Sequence, residues 1–402
     1  MLSYEQALAF LLDRARTVAD TEEIPTELAL GRVLARAVTS SIDVPPWDNS
    51  AMDGFAVRAD TVPAAGEAAL AVSQRIPAGV MGAPLTPGTA ARIFTGAPVP
   101  PGADAVVVQE RCREDAGVVH FSGPVRTGDN IRPCGNDIAA GSEVLAVGTR
   151  MRPQELGLAA SVGVPRVAVH RRLRVALFST GDELATPGSL LGPGQIYNSN
   201  RYILIGLLHG LGCEVRDLGI VPDDRAATRR AVEECAATAD VLLTSGGVSV
   251  GEEDHVKQAL LDLGRLDLWR VRIKPGKPLA YGRVGEADFL GVPGNPVSAF
   301  VTFLLFVRPF LLRRMGASES LPVRMPVRAE FRRTKAGHRR ELLRARLTAG
   351  PDGAPRATLF PRQGSDVLTS VTWAHGLVDL PEGTTVEPGD TVTYLAFSDL
   401  LA

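Results

Sequence analysis

The sequence predicts a multidomain α/β and β fold, built around a three-layer α/β domain with a mostly parallel sheet. Three observations carry that expectation. Strand-length apolar runs alternate with helical repeats from 173 to 315, which implies crossover connections and helices on both faces of a sheet. On either side of that stretch, short apolar runs lie between turns, as strands do. Gly and Pro together make 70 of the 402 residues, which supplies the turns.

Taken in order, Ser3 opens a capping box with Gln6, and Tyr4, Leu8, Leu11, Leu12, Ala15 and Val18 keep a helical period. An amphipathic helix therefore starts the chain. A second short helix is expected over 27–37. From 44 to about 147 the pattern is β-rich, with strands at 91–94, 105–108 and 118–121. A short helix over 153–162 leads into the α/β stretch. There, strands are expected at 173–178, 213–220, 241–244, 268–273 and 289–292. Helices are expected from 198 or 199 to about 210, from 223 or 224 to 238, over 254–263, and over 295–315. The last part reads as strands at 326–331, 342–347, 357–360 and 391–397, suited to a small barrel or a sandwich.

Composition removes several function classes. Forty-three basic residues against 45 acidic ones give a net charge of −2, which argues against a nucleic-acid binder or a basic membrane surface. Cys112, Cys134, Cys213 and Cys235 are too scattered for a disulfide framework, an iron–sulfur site or a zinc ribbon. The opening residues carry Glu5 where a signal peptide carries basic charge, and the apolar run 300–307 is too short to span a bilayer. A soluble, cytoplasmic protein is expected.

Ligands of such sheets bind at the carboxyl ends of the strands. That rule selects four loops: 179–183, 223–224, 245–254 and 293–298. Ser245-Gly246-Gly247-Val248-Ser249 follows a strand and precedes a helix, so converging backbone N–H groups and serine hydroxyls can hold an anion. The same glycines also suit a close-packed turn. Glu183, Asp223 or Asp224, and Asp254 bring carboxylates without histidine to three of the loops, a donor set for Mg²⁺ beside a phosphate. Asp223 or Asp224 also suits a helix N-cap. Only four of the 43 basic residues are lysines, and two stand three apart in Lys274-Pro275-Gly276-Lys277-Pro278. A compact ammonium approaches a small oxyanion as a point charge; a solvated turn is the plainer alternative. Pro293-Gly294-Asn295-Pro296-Val297-Ser298 places a serine in the first turn of the last helix. Residues 321–346 hold eight Arg and one Lys against two Glu, which suits either solvated strand edges or an anion-facing wall.

These motifs, in this order, resemble one family. Pro45-Pro46-Trp47-Asp48-Asn49-Ser50-Ala51-Met52-Asp53-Gly54, Arg92-Ile93-Phe94-Thr95-Gly96-Ala97-Pro98 and Ser179-Thr180-Gly181-Asp182-Glu183 are joined by the glycine-rich, lysine and Pro-Gly-Asn-Pro motifs above. Together they are similar to the molybdopterin molybdenumtransferases of the MoeA type, which include the E domain of gephyrin. The resemblance runs along essentially the whole chain. It implies an elongated N-terminal linking region at 1–45 and 138–170, an inserted β-rich domain at 46–137, an α/β molybdopterin-binding domain at 171–318 and a C-terminal β-barrel at 319–402.

The resemblance further implies insertion of molybdate into adenylylated molybdopterin with Mg²⁺-dependent release of AMP, by a homodimer in transient contact with a molybdopterin adenylyltransferase. Glu183 and Asp254 are implied as the Mg²⁺ carboxylates, with Asp223 assisting. Ser179, Thr180, Gly181, Ser245, Gly246, Gly247, Ser249, Pro293 and Asn295 are implied to hold the adenylylated substrate. Lys274, Lys277, Ser298, Arg344 and Ser365 are implied as molybdate ligands. Asp53, Thr95 and Asp137 are implied to reach the site of the second copy. Two rival readings remain: the adenylyltransferase step itself, and a non-catalytic scaffold like that of the gephyrin E domain. No residue pattern marks an activated covalent nucleophile.

Overall fold

The computed structural model describes residues 1–63, 67–247, 255–350 and 352–401. Helix α1 (Tyr4–Arg14) carries the expected capping box, with the Gln6 N–H donating to Ser3 Oγ at 3.1 Å and the Ser3 N–H to Gln6 Oε1 at 3.0 Å. Strand β1 (Thr21–Pro25) follows. The helix expected over 27–37 does not form. A 3₁₀ turn, Thr26–Leu28, is followed by Gly31 at φ +74°, and Val33 and Leu34 then make isolated bridges to Arg150 and Val169.

The β-rich segment is one six-stranded sheet: β2 (Gly54–Val57), β3 (Glu67–Ile76), β4 (Thr89–Ile93), β5 (Ala105–Val108), β6 (Cys112–Asp115) and β7 (Val118–Ser122), in the order β5-β2-β4-β3-β7-β6. The chain returns through α2 (Pro153–Ser161) and β8 (Arg166–His170), which pairs antiparallel with β1.

The α/β unit contains β9 (Arg174–Thr180), α3 (Ser199–Gly210), β10 (Glu214–Val221), α4 (Arg225–Ala236), β11 (Val241–Ser245), α5 (His255–Leu263), β12 (Arg265–Arg270), β13 (Pro278–Val284), β14 (Ala287–Val292) and the long helix α6 (Pro296–Arg314). Sheet order is β10-β9-β11-β14-β13-β12. The first three pairings are parallel and the last two antiparallel, because β13 and β14 form a hairpin. Strand β13 escaped the sequence reading: its Pro278 start and its two-sided burial leave no alternation to see.

Three layers follow from the period of two along each strand. Val175 and Leu177 of β9 point into a core shared with α1, α3 and α6, while Ala176 and Phe178 pack against α4 and α5. Helix α6 is long and apolar enough to cross a membrane, but 89% of that stretch is buried inside the protein as its central helix.

The last unit is a closed barrel rather than a sandwich. Strands β15 (Met325–Ala329), β16 (Arg340–Ala349), β17 (Pro355–Leu359), β18 (Gly376–Leu380) and β19 (Thr391–Ala396) pair in the ring β16-β17-β15-β19-β18-β16. Closure leaves no free edge among these strands. A short parallel ladder, Ile273–Lys274 on Arg340–Glu341, ties the lysine loop to the barrel.

Candidate functional site

Strand order reverses at β9. The chain leaves β9 for β10 on one side and then crosses to β11 on the other, so the carboxyl ends of β9 and β11 flank a switch point where loops diverge and a crevice opens. Thr180 and Ser245 stand at those two ends, and Pro293–Asn295 leave the end of β14 beside them.

Two clefts occupy this position. The first, about 560 Å³, is lined by Thr180, Glu183, Asn200, Ser245 and the wall formed by Leu184, Ile196 and Tyr197. The second, about 630 Å³, is lined by Gly247, Lys274, Lys277, Pro293, Ser298, Arg339 and Ser365. Gly246, Gly294, Asn295 and Asp366 belong to both. One cleft thus offers hydroxyls, Glu183 and an apolar wall, the other offers cations and hydroxyls, and Asp366 stands on the partition common to both.

The partition is held by hydrogen bonds between loops. Asn200 Nδ2 donates to Ser245 Oγ at 2.7 Å and to the Gly294 carbonyl at 2.6 Å, and Ser245 Oγ donates to the Pro293 carbonyl at 3.3 Å. The Val297 N–H at the start of α6 donates to the Ser365 carbonyl at 3.0 Å, which fastens the barrel's 363–366 loop over the cleft. Gly247 has φ +61°, and a Cβ there would stand 2.7 Å from Thr180 Oγ1 and from Val256 Cγ2, so the turn admits only glycine.

Of the lysine pair, Lys274 lies 3.3 Å from Glu341, a carboxylate it shares with Arg333 at 2.7 Å. Lys277 is exposed and has no ion-pair partner among the described residues. Ser298 is buried and lines the same cleft.

Several expected residues stand elsewhere. Arg344 is not on the cleft surface: it is fully buried, and its Nε, Nη1 and Nη2 donate to Ser370 Oγ at 3.0 Å, the Leu342 carbonyl at 3.2 Å and the Gly364 carbonyl at 2.9 Å. Burial pushes its guanidinium down to about 10. With those donors engaged, it positions the loop carrying Ser365 instead of presenting itself to an anion. Much of the basic stretch is likewise paired, Arg340 and Arg324 with Asp379 and Arg332 with Glu387. Asp223 lines neither cleft, and the neighbouring Asp224 caps α4, accepting from Ala226 and Ala227 N–H groups that hold its carboxyl below the usual range. Ser179 is buried at the end of β9, with Gly181 after it at φ +140°, and neither lines a cleft.

Asp53 and Thr95 meet each other. Asp53 Oδ1 accepts from the Thr95 N–H and from Thr95 Oγ1, both at 2.8 Å, which holds the Asp53 carboxyl below its usual range. These two and the exposed Asp137 line neither cleft of their own chain. Ser249 and Asp254 lie outside the described residues. Among the described residues no three His, Cys, Asp or Glu side chains converge on one point.

Sequence reasoning missed Asn200, Arg339, Gln363 and Asp366. Asn200 is the second residue of helix α3, two positions after the cap Asn198, and nothing in the local pattern separates it from an ordinary first-turn residue. The others reach the clefts only because the barrel folds against the α/β unit, and no local pattern encodes that approach.

Comparison with known proteins agrees with this architecture. Residues 2–163 match the MoeA N-terminal region (domains I and II), 176–313 a probable molybdopterin-binding domain, and 326–397 the MoeA C-terminal region (domain IV). A molybdopterin molybdenumtransferase of Haemophilus influenzae is 37% identical over 405 residues, covering all of both chains. One from a Nostoc species is 41% identical over 76% of this chain and 72% of its own. The crystal structure of a molybdopterin biosynthesis MoeA protein from Pyrococcus horikoshii superposes with a TM-score of 0.83 at 29% identity, covering 98% of this chain and all of that one. With full-length relatives and a matching fold in each region, the chain belongs to the MoeA family of molybdopterin molybdenumtransferases.

Proposed function

We propose that this protein inserts molybdate into adenylylated molybdopterin and releases AMP, a late step of molybdenum cofactor synthesis. The observation that carries the reading is the pair of clefts with one partition: a substrate held in the first presents its reacting end to an oxyanion held in the second. The names of the relatives supply the substrate class.

In this reading the Thr180 hydroxyl donates to the phosphates of the adenylylated substrate, Ser245, whose proton goes to the Pro293 carbonyl, holds the loop beside them, and the Leu184, Ile196 and Tyr197 wall covers the substrate's flat ring system. Lys277, Lys274, Ser298 and Arg339 hold molybdate, a tetrahedral dianion, by charge-assisted hydrogen bonds. The partition residues keep the two reactants apart until both are seated. Glu183 suits Mg²⁺, which is held through one or two carboxylates and the substrate's own phosphates, so the absence of a larger ligand cluster among the described residues is compatible with it. When bound, Mg²⁺ supplies charge neutralisation at the phosphoanhydride. Asp254 is proposed as a second carboxylate there. Asp53, Thr95 and Asp137 then act in the cleft of a second copy, which makes the working unit a homodimer.

The test is AMP release from the purified protein, given adenylylated molybdopterin and Mg²⁺, with and without molybdate. Molybdate-dependent release is expected. AMP transfer from ATP to molybdopterin in its place moves the protein to the adenylyltransferase step, and tight binding without turnover makes it a scaffold.

A further inference from the structure

Asp366 is the carboxylate on the partition that both clefts share. It is exposed, and its carboxylate accepts no hydrogen bond from the described residues; its backbone carbonyl accepts from Leu368 N–H. The other charged side chains of the second cleft are all cations: Lys274, Lys277 and Arg339. Behind the loop, the buried Arg344 guanidinium is favoured in its charged form by Asp366. Glu183 lines the first cleft together with Asp366. A free carboxylate in an oxyanion cleft weakens the binding of a dianion by like-charge repulsion. Its use there lies in the reaction and not in capture.

The reaction has a need that such a group meets. When a dithiol replaces one oxide of molybdate, two S–H bonds and one metal–oxygen bond break, two metal–sulfur and two O–H bonds form, and one water leaves. Charge is conserved and the oxidation state of the metal does not change, so no oxidant or reductant enters. The protons must travel from sulfur in the first cleft to oxygen in the second. We propose that Asp366 carries them: it accepts a thiol proton on one side of the partition and delivers it to the departing oxide on the other. The inference rests on the function proposed above.

The experiment compares full-length wild type, Asp366→Asn and Asp366→Glu in two assays. One is equilibrium dialysis with molybdate alone, and the other is molybdate-dependent product formation from adenylylated molybdopterin across pH. Asp366→Asn is expected to bind molybdate at least as tightly as wild type while forming product about 100-fold more slowly or worse, the usual weight of a positioned acid or base. Asp366→Glu is expected to recover much of the rate. Parallel loss of binding and rate in Asp366→Asn, or an unchanged rate, overturns the proposal while wild-type turnover keeps the function standing. Wild type that binds both ligands yet forms no product overturns the functional reading, and this inference with it.

Discussion

The Asn200 amide joins two strand ends through Ser245. Its Nδ2 stands 2.7 Å from Ser245 Oγ and 2.6 Å from the Gly294 carbonyl, and since that carbonyl only accepts, the orientation of the amide is fixed. Asn200 is buried, its bond to Ser245 is made away from water, and it stands at the partition of the two clefts. Asn200→Leu is expected to lower stability by about 1–3 kcal/mol, the cost of leaving buried polar partners unmet. Asn200→Asp places a carboxylate against the Gly294 carbonyl and is expected to be worse at neutral pH. Urea midpoints check both. Midpoints equal to wild type would mean that the two loops hold their places without the bridge.

The lysine pair is expected to divide its labour. Lys277 lines the second cleft and has no ion-pair partner among the described residues, whereas Lys274 is already drawn to Glu341. Lys277→Ala is expected to raise the molybdate KM about tenfold or more, the loss of one hydrogen bond to a charged group. Lys274→Ala is expected to raise it less, because Glu341 keeps Arg333 as its partner. Steady-state rates over a molybdate series decide, and equal effects would remove the distinction.

Arg344 separates positioning from binding. Its three donor nitrogens hold Ser370, Leu342 and Gly364 from inside the barrel, so Arg344→Met removes three hydrogen bonds at once. A loss of about 2–5 kcal/mol is expected, with looser molybdate binding as the 363–366 loop shifts. A variant of wild-type stability that has nonetheless lost molybdate binding would return Arg344 to the role of direct ligand.

What the sequence made legible follows from how local each signal is. The Ser3 and Gln6 capping box, the strand–helix alternation after Leu173 and the strand-end loops at Thr180 and Ser245 are encoded within a few residues, and each formed as expected. The barrel strands were visible, except for Gly376–Leu380, which is buried throughout and so lacks an alternating pattern. The helix over 27–37 failed because Gly31 and pairing partners more than 100 residues away outweighed a weak periodicity. Arg344 and Asp366 show the limit most clearly. Both come from the barrel: Arg344, implied by resemblance as a molybdate ligand, is buried, and Asp366, which the sequence reading did not single out, lies on the partition. Only tertiary packing distinguishes them.

The end of the sheet opposite the clefts makes the acid limb of stability predictable. Asp240, just ahead of β11, is 8% exposed and accepts from Arg171 Nη1 at 2.7 Å and Nη2 at 2.8 Å, from Arg174 Nη2 at 3.0 Å, and from the Arg174 N–H at 2.8 Å. Burial alone pushes its carboxyl up, but the hydrogen bonds from the two arginines outweigh burial and hold it well below the ordinary 3.8. A carboxyl lowered in the folded state contributes stability that is in place above 3.8 and is lost as pH falls through the folded value. Asp240→Asn, which keeps the shape and removes the charge, is expected to cost about 3 kcal/mol at neutral pH, because both guanidinium groups lose their shared counterion. The gap between wild type and variant is then expected to narrow on acidification below the ordinary value of 3.8. Thermal midpoints of both proteins across an acid series test this. A gap of constant size down to about pH 2 would show that the cluster holds the chain by shape alone and not by charge.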